Sequence, residues 1–177
     1  MGYAVELYFD EKSEEAIRAI WKVLYDKDIS KYMYESDSRP HITLAVYDDE
    51  INNLELFMEK IKEFAQKAVI LKLNLSNVGV FNMNEGVVFL QPRVTREMLD
   101  MQEEFHRTMR SFEEAEWRYF LPDLWVPHCT MTFNLKKEKL LQSVEVISSM
   151  FRPMEVLIDG LGIAKFKSVE YVSLYLL

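Results

Sequence analysis

One cysteine, Cys129, serves the whole chain of 177 residues, so no disulfide closes within it and a reducing, cytoplasmic setting is expected. No apolar run approaches the length of a membrane span. The chain opens on alternating residues rather than on a basic and then apolar leader, so no membrane partner is expected. Lysine and arginine are in the minority, 21 against 29 aspartate and glutamate, for a formal charge of −8. That balance argues against a surface built for long duplex nucleic acid, but it leaves room for a small phosphate-bearing ligand in a locally basic cleft. Glycine and proline are scarce at five each, while 49% of residues are hydrophobic and 13% aromatic. This is the composition of a folded globule with a substantial core. Histidine is rarer still, with three in the chain, and two of them fall in one repeated phrase.

That phrase is Pro40-His41-Ile42-Thr43, then Pro127-His128-Cys129-Thr130. Each copy opens a run of β-branched and apolar residues, 41–46 and 128–133, that reads as a strand entered from a proline. Alternation then puts His41 with Thr43, and His128 with Thr130, on one face. Ile42, Leu44 and Val46, and Cys129, Met131 and Phe133, are expected to face the core.

Around these motifs the pattern of elements repeats. Residues 3–9 read as a strand, 13–25 as a helix with Ile17, Ile20, Trp21 and Leu24 on one side, and 54–65 as a second amphipathic helix. A strand over 69–81 and a turn at 82–86 close the first half. The second half gives a strand at 87–91, a helix from about Thr95, the second motif, a helix from about Lys136, and strands over 154–166 and 169–176. The histidines lie 87 apart (128 − 41) and the phenylalanines closing the two long strands 85 apart (166 − 81). Such constancy predicts a duplication: an α+β fold of two β-α-β-α-β lobes, about 1–85 and 86–177, related by a pseudo-two-fold axis around a central groove. The two lobes are expected to form a single domain.

Two His-x-Thr motifs half a chain apart, each opening a strand of a duplicated α+β lobe, resemble the two-histidine (2H) phosphoesterase superfamily. That group includes the bacterial 2′-5′ RNA ligase-like proteins and the 2′,3′-cyclic nucleotide phosphodiesterases. The resemblance implies metal-independent chemistry on a cyclic 2′,3′-phosphodiester or a 2′-5′ linkage, with a nucleotide or RNA terminus as substrate. It carries over to His41, Thr43, His128 and Thr130. Some members continue the second motif with an arginine, where this chain has Met131-Thr132-Phe133.

The residues suit that chemistry. Opening a cyclic diester removes a proton from water and delivers one to the departing ribose oxygen, and two imidazoles titrating around 6.5 serve both transfers near neutral pH. Threonine hydroxyls donate to the non-bridging oxygens. The sequence does not distinguish acid from base. No cofactor is expected, and no metal, because no set of three or four ligands accompanies either motif. Arg39, two residues before His41, is a candidate phosphate contact, with a surface salt bridge as the alternative. Among the aromatics before His128 (Trp117, Tyr119, Phe120 and Trp125), Trp125 is the candidate exposed base-stacker and the others are expected to plug the gap between lobes. Lys165 is placed within reach of the groove only if its strand's phase allows. His106, on a helix among Gln102, Glu103 and Arg107, reads as a solvated surface residue. The alternative reading is a non-catalytic nucleotide- or phosphate-binding module on the same fold, which would bind without turnover. A third is a scaffold whose histidines stand apart.

Overall fold

The computed structural model describes residues 2–81, 86–166 and 169–177. Strands β1 (Gly2–Phe9), β2 (His41–Asp48), β3 (Leu71–Phe81), β4 (Val87–Pro92), β5 (Cys129–Thr130), β6 (Met154–Phe166) and β7 (Glu170–Leu176) form one antiparallel sheet. Its order is β2-β1-β6-β3-β4-β5, with β7 added beside β6. Helices α1 (Glu11–Asp26), α2 (Tyr32–Glu35), α3 (Leu54–Ala65), α4 (Arg96–Thr108) and α5 (Lys137–Met150) complete an α+β fold. The turn expected at 82–86 lies, apart from Gly86, outside the described residues.

Local chemistry accounts for the helices. Ile17, Ile20, Trp21 and Leu24 make the buried stripe of α1, and Met98, Met101 and Phe105 that of α4, each at three-to-four-residue spacing. Thr95 caps α4 by accepting from the Met98 N–H, and Asn53, at φ 63°, caps α3 by accepting from that of Leu56. Such caps are each worth about 1 kcal/mol.

The strand order reads the same from either end once β1, β2 and β3 are matched with β4, β5 and β6. The match exchanges one strand per half. β3, from the first half, lies beside β4, and β6, from the second, lies beside β1. The axis falls on the pairing of β3 with β6, at Lys72 opposite Leu157. These two are 85 apart, the spacing of Phe81 and Phe166, and the pairs Leu71–Ile158 and Leu73–Val156 flank them symmetrically. β1, central in one half of the sheet, is buried along nearly its whole length.

The two His-x-Thr motifs therefore sit on the outermost strands, β2 and β5, which the twisted sheet brings against each other. Here alternation fails in both halves. In β2, Val5 pairs with Ala45 but Glu6 with Thr43, leaving Leu44 as an extra residue. In the second motif the N–H groups of Met131 and Thr132 both donate to the Val88 carbonyl (2.8 and 3.1 Å), and the Thr132 hydroxyl accepts from the Val88 N–H at 3.0 Å. These are β-bulges, which insert a residue and reverse the phase beyond it. The strand expected over 128–133 is thus only Cys129–Thr130. Thr132 is buried, and Phe133, expected in the core, is exposed. Val46, also expected to face the core, is buried but at the floor of the groove, and Ala45 and Tyr47 join the main core cluster instead.

Candidate active site

The same backbone device orients both motif histidines. Nδ1 of His41 lies 2.7 Å from the Arg39 carbonyl, and Nδ1 of His128 lies 2.6 Å from that of Val126. A carbonyl only accepts, so Nδ1 carries the hydrogen in each ring and Nε2 is left to take or give the working proton. The Arg39 carbonyl is itself set from the second half, because the Arg39 N–H donates to the Tyr171 hydroxyl (2.7 Å), which donates to the Asp37 carbonyl.

Two tryptophans tie the motifs together. Nε1 of Trp21, on α1, donates to the Thr130 carbonyl at 3.0 Å, and Nε1 of Trp125 donates to the Thr43 carbonyl at 2.9 Å. Each half thereby satisfies an outward carbonyl on the other half's edge strand. Trp125 is accordingly 8% exposed, so the expected base-stacker is instead a buried tie. Burial pushes the Cys129 thiol up to about 12, against a smaller opposing effect of the His41 backbone N–H, so the cysteine is an inert part of the core.

The surroundings of the two imidazoles differ. Nε2 of His41 lies 3.5 Å from Oε1 of Glu6, a buried carboxylate on β1 that also lines the groove. Its Oε2 accepts from the Tyr8 hydroxyl at 2.7 Å. Burial, and then the charge of Glu6, raise the Tyr8 phenol far above its ordinary range, so it remains a donor. With Tyr8 on one oxygen of Glu6, the other oxygen is left facing Nε2 of His41. Gly162 makes this possible, since a Cβ there would stand 2.6 Å from the Tyr8 ring. His128 instead packs against Phe81 and Phe89, with ring centroids 4.8 and 5.2 Å away. Burial, partly offset by the Val126 hydrogen bond and reinforced by the charge of His41, lowers its pKa below the ordinary 6.5. Phe89 lies over a glycine too, Gly79, whose Cβ would stand 2.2 Å from its ring.

A cavity of about 650 Å³ opens on the groove. His41, Thr43, Thr130 and Glu6 line it together with Tyr32, Trp117, Phe133, Lys165 and Phe166. His128 stands aside from it among its phenylalanines. Arg39 does not reach it. Its guanidinium is held by Glu14 at 2.8 Å, stacks 4.6 Å over Tyr8, and lines a separate cleft with Glu11, Glu15 and Asp159. Among the described residues, the cation lining the groove is Lys165. His106, expected in solvent, is largely enclosed: Nδ1 lies 3.1 Å from the buried Glu116 carboxylate, and Nε2 lies 3.0 Å from the amide nitrogen of Gln102. This cluster secures the segment carrying Trp117 to α4. The spacing of Glu6 and Tyr8 about β1, on the face shared with Thr43 and His41, is the signal from which this pair was readable. Among the described residues no cluster of three His, Cys, Asp or Glu is placed to hold a metal, and no helix is long and apolar enough to cross a membrane.

The family model described as the 2′-5′ RNA ligase superfamily matches residues 9–170. Among solved structures, the chain is similar to TT0787 of Thermus thermophilus, with a TM-score of 0.67 at 15% identity over 100% of this chain and 98% of that one. It is also similar to E. coli LigT complexed with 3′-AMP, with a TM-score of 0.60 at 12% identity over 99% and 96%. At these identities the likeness is one of fold. A search among curated proteins gives no match.

Proposed function

The chain belongs to the 2′-5′ RNA ligase superfamily, whose two-histidine members are phosphoesterases, and from that premise we propose that it hydrolyses, or reversibly forms, a cyclic 2′,3′-phosphodiester or a 2′-5′ linkage of a nucleotide or RNA end. His41 and His128 act as acid and base, and Thr43 and Thr130 hold the phosphate. The observation that carries this reading is the matched pair of imidazoles, each fixed through Nδ1 to the carbonyl two residues earlier. Thr43 and Thr130, each two residues after its histidine, both line one cavity, together with His41. Two imidazoles supply both proton transfers, so the scheme asks for no metal. The nucleotide complexes of LigT, with 3′-AMP and with ATP, agree with a nucleotide substrate.

The differing surroundings distribute the roles. His128, kept neutral by its aromatic walls, takes the proton from water as the water oxygen bonds to phosphorus. His41, whose Nε2 faces Glu6, delivers a proton to the ribose oxygen as the P–O bond breaks. The hydroxyls of Thr43 and Thr130 donate to the non-bridging oxygens, where charge is held through the transition state. Ligation runs the steps backwards with the roles exchanged.

The test is turnover of 2′,3′-cyclic nucleotides and 2′-5′-linked oligonucleotides in EDTA, with His41→Ala and His128→Ala beside wild type. Turnover that survives chelation and falls by about 10²–10⁴-fold in each variant is expected. Binding without turnover would instead support a non-catalytic module.

A further inference from the structure

Matching β1, β2 and β3 with β4, β5 and β6 leaves one strand over, β7, which pairs with β6. Whatever β7 does for the first half has no equivalent in the second. Its pairing slips at Val172, with Ser173 opposite Ile163 but Tyr171 opposite Ala164. Ile163 belongs to the core, whereas Ala164 lines the groove. The extra residue therefore turns Tyr171 off the face that carries Ser173 and onto the groove side of the sheet.

From there its hydroxyl reaches the coil that delivers the first motif. Residues 36–40 form neither helix nor strand, and Pro40 has no N–H with which to anchor them. The Tyr171 oxygen accepts from the Arg39 N–H at 2.7 Å and donates to the Asp37 carbonyl at 3.0 Å, closing residues 37–39 around one atom. The Arg39 carbonyl that follows is the acceptor for Nδ1 of His41. Burial raises the Tyr171 phenol above its ordinary value, against the opposing effect of the Arg39 N–H, so the oxygen keeps the hydrogen that it gives to Asp37. The ring packs edge-on to Tyr8, with centroids 6.1 Å apart, and Tyr8 holds the Glu6 carboxylate that faces Nε2. One side chain thus touches the supports of both ring nitrogens. Helix α1 steadies the same coil, since Arg18 donates to the Ser38 carbonyl at 3.2 Å, so loss of the hydroxyl is expected to loosen the imidazole and not to release it. Among the described residues no hydroxyl serves Val126, whose carbonyl orients His128, in this way.

We propose that Tyr171 is a positioning residue for His41, fixing that imidazole through the Arg39 carbonyl and through Tyr8. The effect on rate rests on the two-histidine reading of the site, whereas the effect on the ring's orientation does not. Removing the hydroxyl disturbs His41 and spares His128.

The experiment uses Tyr171→Phe, which keeps the ring against Tyr8 and deletes only the hydroxyl. Tyr175→Phe, on the core side of the same strand, is the control. Nitrogen-15 NMR of the histidine rings, at a pH where both are neutral, is expected to show the Nδ1–H form for His41 and His128 in wild type, and a mixture for His41 alone in Tyr171→Phe. On whichever 2′,3′-cyclic nucleotide or 2′-5′-linked oligonucleotide the wild type turns over fastest, kcat should fall about 10-fold with KM within about 2-fold. His41→Ala combined with Tyr171→Phe should be as active as His41→Ala alone, within about 2-fold, because the hydroxyl acts only through that ring. Unchanged His41 signals in Tyr171→Phe overturn the inference. So do an equal change at His128, the same fall in Tyr175→Phe, or losses that add in the double variant. Absence of turnover by wild type overturns the two-histidine reading instead, and the NMR spectra then still decide whether Tyr171 orients His41.

Discussion

His41 and His128 occupy equivalent places in a duplicated fold, yet one sits in a polar niche and the other in an aromatic one. Both rings give Nδ1–H to the carbonyl two residues before. Both stand near a residue of the neighbouring strand that lies over a glycine, Tyr8 over Gly162 and Phe89 over Gly79. There the likeness ends. Opposite Thr43 the neighbouring strand carries Glu6, and opposite Thr130 it carries Phe89. On the proposed function, duplication delivers two identical proton carriers, whereas hydrolysis needs one that gives and one that takes. A single position, carboxylate in one half and phenyl ring in the other, is then what divides them.

Erasing that difference from the polar side has the largest expected effect. Glu6→Gln keeps the shape of the niche and removes the charge facing Nε2 of His41, and kcat should fall about 10- to 100-fold with KM little changed, the equivalent of one charge-assisted hydrogen bond. Steady-state kinetics on the best substrate checks it, and an unchanged kcat would remove Glu6 from the account. Crowding the niches comes next. Gly162→Ala would press on the Tyr8 ring and the Ser173 carbonyl, and a loss of about 1–3 kcal/mol in urea unfolding is expected. Gly79→Ala presses on Phe89 alone, and a smaller loss is expected if that ring can swing aside.

The smallest effect is a displacement along the pH axis. If His128 is the base, kcat/KM should fall on acidification with a midpoint below 6.5, and Phe89→Leu, which opens the niche to water, should move that midpoint up toward 6.5. Stability has the same sign. The unfolded chain takes up this proton near 6.5 and the native chain only lower. The unfolded state therefore binds more protons in that window, and stability declines as pH falls from 6.5 to the native value and then levels. An acidic limb at or above 6.5 would contradict the assignment.

Much of this was legible in the sequence because it is local. The His-x-Thr motifs, the amphipathic stripes of α1 and α4 and the constant offsets between halves rest on near neighbours in the chain. What was not legible depends on which strands pair and where they slip. Nothing in residues 71–81 announces that β3 crosses to the other half of the sheet, and nothing in 41–46 marks Leu44 as the extra residue, so Val46 and Phe133 were expected to face the core. The tryptophans changed places for a related reason. Trp125 is buried because an edge-strand carbonyl 82 residues away needs a donor, and Trp117 is left to the groove. Arg39 was open to a phosphate contact or a salt bridge, and Glu14, on α1, takes it at 2.8 Å. His106 looked solvated until Glu116 closed over it.

The most direct test of the division of labour uses a phosphodiester with a p-nitrophenyl leaving group, which departs without needing a proton. Turnover of this ester and of the natural-type ribose diester would be compared for wild type, His41→Ala and His128→Ala. If His41 is the acid, His41→Ala should regain most of its lost rate on the p-nitrophenyl ester, while His128→Ala stays as impaired as before. Recovery in His128→Ala instead, or equal losses on both esters for both variants, would contradict the account.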